Sequence, residues 1–455
     1  MTGPRVLIVG AGPAGSRAAA VLAAAGLRPV VVDEAPRSGG QVYRRPPRDC
    51  HRPAKDLYGF EAAKALDLHR AFDGLGEAVD YRPETLVWNV HDGEACTRHS
   101  DGTLERIPYD AALLATGAMD RIIPFPGWTT PGVYTLGAAQ IAYKYQGCAI
   151  GSCVALLGTG PLLYLVAYQY ATHGAEVAVV LDTARLSDGV RALPDLLWGG
   201  ATFAKGLYYR SWLALHGIPL RTGVTPIGVD GEDRVRALRY RDSRGREHHL
   251  ACDALAFGYS LRSETQLADL LGCAFEFDPL GYQWRPRADG DGRASIKSVY
   301  LAGDGAGISG ADAADRRGEL AALALLADHG QAVDTRRVAR LRRELARLQR
   351  FRRGLETAFP FPRRLAEGLG DDVLLCRCES IKAGEFRAQA HGLGAAEVNR
   401  AKAFSRVGMG RCQGRVCHTA AAEVLAEQLG CEAAAVGRLR GQAPIKPLPI
   451  PGQGS

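Results

Sequence analysis

Four cysteines near the carboxyl end of the chain have the residue type and spacing of a metal-binding set. Two form a C-x-C pair and two a C-x4-C pair, and they are Cys376, Cys378, Cys412 and Cys417. Four thiolates can hold a tetrahedral zinc ion or a [2Fe-2S] cluster. Structural zinc favours C-x-x-C, whereas the tighter C-x-C suits one iron of a binuclear cluster. From the residues alone a [2Fe-2S] cluster, a zinc ion and a metal-free turn all stay open.

A second chemical signature lies at the amino end, where a strand, a glycine turn and a helix follow one another. In "VLIVGAGPAG" the glycines allow a tight turn, close approach of a pyrophosphate and close packing of helix on strand. The next strand, "PVVVDE", ends in the acidic residue expected to bind a ribose. The candidate dinucleotide-binding residues are Gly10, Gly12, Pro13, Ala14, Gly15 and Asp33, with Glu34 as the one-residue alternative.

Three further short motifs indicate that the dinucleotide is FAD. They resemble segments of two-dinucleotide-domain flavoproteins such as thioredoxin reductase. In that family a G-G-Q loop runs along FAD, an A-T-G strand end leaves the FAD domain, and a strand-G-D motif contacts the ribityl chain. The corresponding residues are Gly39, Gly40 and Gln41, then Ala115, Thr116 and Gly117, then Gly303 and Asp304.

A second strand-turn-helix unit, "VALLGTGPLLYLVAYQYATHGAEVAVVLD", is degenerate. Gly158 and Gly160 occupy the first two glycine positions, but Leu163 occupies the third, and the ribose-acid position falls on Leu181, next to Asp182. A large side chain at the close helix contact costs roughly 1–3 kcal/mol unless the helix moves outward. The unit therefore favours a relic fold or a site for another nucleotide over NAD(P)H. The sequence also lacks a redox C-x-x-C pair.

Composition and charge narrow the function classes. The net charge of +7, from 56 basic and 49 acidic residues, is too mild to indicate nucleic-acid binding. The arginine-rich stretch that begins at Arg336 predicts an amphipathic helix, with either a solvated face or a docking surface for an acidic partner or a membrane. We expect neither a signal peptide nor a membrane span. The expected location is the reducing cytoplasm, free or peripheral on the inner face of the cell membrane.

Two resemblances extend these predictions. The segment "CRCES…VNRAKAFSRVGMGRCQGRVC" resembles the bacterioferritin-associated-ferredoxin (BFD) type of [2Fe-2S] domain, which implies that the four cysteines bind that cluster. Through "DEAPRSGGQVYRRP", "GTGPLLYLVAYQ" and "GMGRCQGRVC", nearly the whole chain resembles the α-type subunits of heteromeric amino-acid and amine dehydrogenases. That group includes the α-type subunits of opine oxidase, hydrogen cyanide synthase and D-hydroxyproline dehydrogenase.

The family resemblance implies a hetero-oligomer and an electron-relay function. The partner would be an FAD-containing β subunit of the glycine/D-amino-acid oxidase type, which oxidises a C–N bond. Several members add a small ferredoxin-like γ subunit, and some hold FMN at the α–β interface. Electrons would pass through flavin and [2Fe-2S] to an acceptor. The alternative is a stand-alone NAD(P)H-dependent FAD/[2Fe-2S] reductase. We assign no catalytic residue, because no nucleophile, base or dyad stands out.

The expected fold class is α/β: a two-dinucleotide-binding-domain flavoprotein, like glutathione and thioredoxin reductases, with a small C-terminal helical [2Fe-2S] domain. The proline-rich tail would either fray or dock on the body or a partner. The expected segments are 1–150 (FAD-binding domain, first part), 151–255 (degenerate second dinucleotide domain), 256–330 (FAD-binding domain, second part), 331–370 (basic helical linker), 371–435 (BFD-like domain) and 436–455 (tail).

Overall fold

A computed structural model describes residues 3–449 and contains two five-stranded parallel sheets. Residues 450–455 of the predicted tail, and residues 1 and 2, lie outside the described part. The central strands are continuous runs of buried residues, as in Val6–Val9 and Ala254–Tyr259. Such runs suit parallel strands whose two faces are both covered.

The elements of the first third surround the first glycine turn. In chain order they are β1 (Val6–Val9), α1 (Pro13–Ala24), β2 (Val30–Val32), α2 (Ala54–Tyr58), α3 (Ala62–Asp73), β3 (Asp80–Arg82), β4 (Thr85–His91), β5 (Glu94–His99), β6 (Leu104–Pro108), β7 (Ala111–Leu114), β8 (Ala118–Asp120), β9 (Val133–Thr135) and α4 (Leu136–Ile141).

The next elements build the second unit and return to the first. They are β10 (Cys153–Thr159), α5 (Pro161–Thr172), β11 (Glu176–Asp182), α6 (Leu186–Leu196), α7 (Ala201–Leu215), β12 (Leu220–Thr222), β13 (Thr225–Asp230), β14 (Ala237–Arg241), β15 (Glu247–Ala251), β16 (Ala254–Tyr259), β17 (Leu261–Ser263), α8 (Gln266–Leu270), β18 (Phe275–Asp278), β19 (Gln283–Pro286), β20 (Val299–Leu301) and α9 (Ala311–Asp328).

The last elements form a long helix and a small helical domain. They are α10 (Thr335–Ala358), β21 (Leu374–Cys376), β22 (Ile381–Lys382), α11 (Ala383–Gly392), α12 (Val398–Ser405) and α13 (His418–Leu429). Within residues 3–449, each helix falls short of the length or the apolar character needed to cross a bilayer.

The two parallel sheets place both glycine turns at strand ends. The first sheet has the order β20-β7-β1-β2-β3, and the second has the order β12-β11-β10-β16-β9. Strand β9, which lies inside the predicted first segment, pairs with β16 of the second sheet. Three-stranded antiparallel sheets, β4-β5-β6 and β13-β14-β15, accompany the two parallel sheets.

The small helical domain and the tail both pack on the body. Fully buried Leu375 and Phe386 belong to a core that continues into the second unit, and the Trp128 indole donates to the Leu374 carbonyl at 2.7 Å. In the tail, buried Ile445 donates its N–H to the Trp88 carbonyl at 3.0 Å. The described part of the tail is therefore docked.

Candidate functional site

The first glycine turn is so tightly packed that two of its glycines have no room for a side chain. Gly10 has φ +104°, and a Cβ there would lie 2.3 Å from the Ala115 carbonyl oxygen. A Cβ at Gly15 would lie 1.7 Å from the Gly10 oxygen. At the start of α1, a Cβ on Gly12 would meet only the Cα of Gly40, at 3.6 Å. The space beside the Gly12 backbone is thus open, as the close approach of a pyrophosphate requires.

Motifs that are far apart in sequence meet at this turn. The Gly39 N–H donates to the Ala11 carbonyl at 2.8 Å. A Cβ on Gly303 would lie 2.9 Å from the Cβ of Ala14 in the first turn of α1. The structure therefore brings the G-G-Q loop and the G-D motif to the glycine turn, and the Gly10–Ala115 contact adds the A-T-G strand end. We call this assembly the cradle.

Asp33 lies where the ribose-binding acid was predicted, but it also has a structural role. Its carboxylate accepts N–H groups from Ala11 at 2.5 Å and from Ala35 at 2.7 Å. Burial raises the pKa of Asp33, and these two N–H groups partly oppose the rise. The neighbouring Glu34 forms an ion pair with Lys446 of the tail. Asp33 holds the turn in place, and Glu34 carries the more exposed carboxylate.

The remaining predicted cradle residues are held by hydrogen bonds or by their backbone conformation. Asp304 accepts the Ser309 N–H at 2.7 Å, which orders the loop before α9. The Thr116 hydroxyl donates to the Glu264 carbonyl at 2.6 Å. Gly117 has φ +73°, which favours glycine. Gln41 instead points to its own loop, where its side-chain oxygen accepts from Arg44.

In the second unit, the first two glycine positions keep their packing role. A Cβ on Gly158 would lie 1.8 Å from the Gly258 oxygen, and one on Gly160 would lie 2.9 Å from the Ser260 hydroxyl. At the third position, Leu163 has no exposed surface and belongs to the core between α5 and its sheet. The leucine is thus accommodated as a core residue.

Asp182, next to the ribose-acid position, is closed to a ligand. It is 1% exposed, and its carboxylate accepts the Tyr164 hydroxyl at 2.7 Å and the Ala184 N–H at 2.9 Å. Burial raises the pKa of Asp182 to about 6. The Arg210 guanidinium lies 4.7 Å over the Tyr164 ring. Tyr164 did not stand out in the sequence, because an aromatic residue in an apolar helix looks like any other core residue.

The four cysteines come together as two thiol pairs. Cys376 lies near Cys417 and Cys378 near Cys412, close enough for each neighbour to shift the pKa of the thiol. Each pair therefore takes one residue from each sequence motif, whereas the C-x-C spacing predicted that Cys376 and Cys378 would act together. The hydrogen bond from Cys417 lowers the pKa of the Cys376 thiol to about 6, against the effect of burial, and the Gly408 N–H adds to the lowering.

All four of these cysteines are free thiols. Among residues 3–449, no group of three or more His, Cys, Asp or Glu side chains is arranged to hold a metal ion. Four thiolates are the ligand set of structural zinc and of a [2Fe-2S] cluster alike, so the residue types fit either group. A Cβ on Gly410 would lie 2.4 Å from the Cβ of Cys378, so the turn reaches the C-x-C pair only with glycine there.

The cysteine turn is anchored beside the cradle by residues that were not among the sequence predictions. Buried Arg415, between Cys412 and Cys417, pairs with Glu264 at 2.7 Å. The Gln266 amide also donates to the Gln413 carbonyl of the turn at 2.6 Å. Arg415 was visible inside "CQGRVC", but nothing in the sequence pointed to a carboxylate 151 residues earlier.

Comparisons with known proteins cover nearly the whole chain. The pyridine nucleotide-disulphide oxidoreductase model matches residues 4–325, and the sarcosine oxidase A3 domain model matches residues 387–452. The A subunit of opine oxidase from Rhizobium meliloti is 36% identical over 468 residues, which cover 97% of this chain and 86% of that protein. Hydrogen cyanide synthase subunit HcnB of Pseudomonas protegens is 32% identical over 462 residues, which cover 98% of this chain and 96% of that protein.

A solved structure has the same fold over nearly the full length. The crystal structure of L-proline dehydrogenase from P. horikoshii superposes with a TM-score of 0.69 at 20% identity, and the match covers 98% of this chain and 78% of that chain.

Proposed function

Since the chain belongs to the pyridine nucleotide-disulphide oxidoreductase family and is an FAD-dependent flavoprotein subunit of a multi-subunit dehydrogenase, we propose that it is the electron-relay subunit of that complex. A partner subunit oxidises a C–N bond of an amino acid or opine. This chain receives the electrons and delivers them to an acceptor. It contributes binding, positioning and electrostatics, and the substrate is held elsewhere.

The proposal assigns FAD to the cradle and a [2Fe-2S] cluster to the four cysteines, which we place in a domain of residues 371–435. Bound there, FAD would exchange electrons in pairs and a cluster would pass them singly. No side chain of the described residues caps the start of α1, so its N–H groups are available to an anion. Cys376 and Cys417 are buried, which would shield a cluster from water.

One observation carries the proposal: the two cofactor sites share a residue. The Glu264 carbonyl accepts the Thr116 hydroxyl of the cradle, and the Glu264 carboxylate pairs with Arg415 of the cysteine turn. Two modules with unrelated roles would not need this contact. A relay needs it, because the distance between donor and acceptor has to be held constant.

The proposed assembly is a hetero-oligomer. Its relatives are named as subunits of opine oxidase, hydrogen cyanide synthase and sarcosine oxidase. We propose an FAD-containing β subunit of the glycine/D-amino-acid oxidase type as the partner. The further components that we propose are FMN at the shared interface and a small ferredoxin-like γ subunit.

The alternative, a self-sufficient NAD(P)H-dependent reductase, is disfavoured by the second unit. The acid next to its ribose position is tied to Tyr164, and Leu163 fills the close helix contact. The test is anaerobic mixing of the purified chain with NADH, NADPH or dithionite while flavin absorbance is followed. We expect rapid bleaching with dithionite only. Rapid bleaching by either nicotinamide would overturn the relay assignment in favour of the reductase.

A further inference from the structure

Helix α6 and the turn after it expose a row of apolar side chains. Leu186, Val190, Leu193 and Leu197 recur at helical spacing on one side and are 45–73% exposed. We call these four residues the apolar stripe. Helix α7, the next helix in the chain, also exposes large apolar or aromatic side chains: Leu207, Tyr208 and Leu215. Single exposed leucines are ordinary, but four apolar side chains at helical spacing on one side of α6 mark an interaction surface.

Each charged side chain of α6 and α7 is engaged with another group of the chain. The ion pairs are Asp188–Arg191, Asp195–Arg350 and Lys205–Glu61, and Arg210 lies over the Tyr164 ring.

A row of arginines on α10 borders the apolar stripe. Arg336, Arg343, Arg347 and Arg350 follow one side of the helix, and we call them the arginine row. Arg347 donates to the Trp198 carbonyl at 3.3 Å, and the Arg350 guanidinium lies 4.5 Å over the Trp198 ring. Within residues 3–449, only Arg350 of these four is in an ion pair. The other three offer positive charge with no acidic partner among the described residues, and Arg347 lies beside Trp198 next to the apolar stripe.

We propose that the apolar stripe and the arginine row together dock this chain on an anionic bilayer surface. Leucine and valine side chains would enter the boundary between headgroups and acyl chains, and the guanidinium groups would bind lipid phosphates bidentately. Trp198, amphipathic and 43% exposed, lies between the two features, as aromatic side chains do at membrane interfaces. This inference is independent of the proposed relay.

A bilayer fits these observations better than a protein partner. The stripe and the row run along helix surfaces, and a bilayer requires no complementary shape. Apolar and cationic groups are segregated here, as in interfacial helices, whereas protein interfaces surround an apolar centre with a mixed polar rim.

The test is sedimentation of the full-length chain with phosphatidylglycerol or phosphatidylcholine vesicles at low and high salt. We expect binding to phosphatidylglycerol that weakens as salt screens the arginines. Two paired substitutions, Val190→Ser with Leu197→Ser and Arg343→Gln with Arg347→Gln, should each weaken binding about ten-fold or more. The control variants Leu104→Ser and Leu393→Ser, at sites 63% and 60% exposed elsewhere on the surface, should bind like the parent.

Three results would overturn the inference: no binding to phosphatidylglycerol at low salt, equal binding to both lipids, or unchanged binding by both double variants. If the apolar double variant instead loses a partner subunit in size-exclusion chromatography while vesicles bind neither protein, the surface belongs to a protein interface. All six substituted residues have exposed side chains, so an unchanged thermal midpoint is expected and checks that each variant is folded.

Discussion

Arg415 and Glu264 form a buried ion pair, with 2.7 Å between Nε and Oε2, that joins the cysteine turn to the flavin cradle. Burial on its own would raise the pKa of Glu264, but the Arg415 guanidinium outweighs it and the pKa is lowered. The Glu264 carboxylate is therefore charged at neutral pH. The pair fixes the position of one site relative to the other.

Glu264→Gln should destabilise the chain strongly. The substitution leaves the Arg415 guanidinium buried without its counter-charge, which typically lowers the free energy of unfolding by about 3–5 kcal/mol. Urea unfolding measures the change. The matched control is Glu432→Gln in the exposed Arg364–Glu432 pair, where we expect a change below about 1 kcal/mol. Equal effects of the two variants would mean that the Arg415–Glu264 pair does not anchor the turn.

Cys412→Ser should abolish iron binding and leave FAD bound, since Cys412 is not one of the cradle residues and the Arg415–Glu264 pair stays intact. Iron and flavin assays on the same purified sample measure both. Cys431→Ser, at an exposed cysteine outside the four, is the control and should keep its iron. Loss of FAD together with iron from a folded Cys412→Ser protein would contradict separate sites.

Gly12→Val should abolish flavin binding. A Cβ at Gly12 has space in the chain itself, 3.6 Å from the Gly40 Cα, but the γ-methyl groups of valine would fill the space of the pyrophosphate. Flavin absorbance after gel filtration is the readout. Gly290→Val, where a Cβ meets nothing within 4 Å, is the control. A yellow Gly12→Val protein would show that the pyrophosphate lies elsewhere.

Asp182 should make stability depend on pH in a defined direction. Its folded-state pKa, about 6, lies above the ordinary value of 3.8, so between these values the folded chain holds a proton that the unfolded chain has lost. Stability therefore falls as pH rises through that window and is level above it. Asp182→Asn removes this component. The free energy of unfolding of the variant minus that of the parent should therefore rise by about 2 kcal/mol from pH 4.5 to pH 7.

Unfolding curves of the apoprotein at the two pH values give the difference. Asp110→Asn is the control, because Asp110 is exposed and its pKa is lowered by the bond from Arg5. If the difference in the free energy of unfolding between Asp182→Asn and the parent is the same at both pH values, the Asp182 carboxylate is not desolvated.

Local sequence patterns predicted the parts of the molecule that depend on backbone packing. Gly10 and Gly15 lie where only glycine fits, and that requirement is readable from strand, turn and helix spacing. The α/β two-domain fold, the FAD-dependent oxidoreductase class and the resemblance to opine oxidase and hydrogen cyanide synthase subunits are confirmed. The domain boundaries, the individual cradle residues and the cysteine-bound cluster stay predictions.

Contacts between distant side chains could not be predicted. The tie between Tyr164 and Asp182 and the pair of Arg415 with Glu264 depend on which elements the tertiary fold brings together. The docking of Ile445 against Trp88 is of the same kind, since a proline-rich tail has no periodic pattern that indicates where it packs. Short motifs predict local backbone geometry, whereas these contacts depend on the tertiary fold of the whole chain.

The most direct test of the relay is to assay iron, sulfide and flavin on anaerobically purified chain and to record its electron paramagnetic resonance spectrum after dithionite reduction. We expect one FAD and about two irons per chain, with the spectrum of a reduced [2Fe-2S] cluster that Cys412→Ser removes. A flavin-containing chain that binds zinc or no metal would contradict the account, because electrons would then have no carrier beyond the flavin.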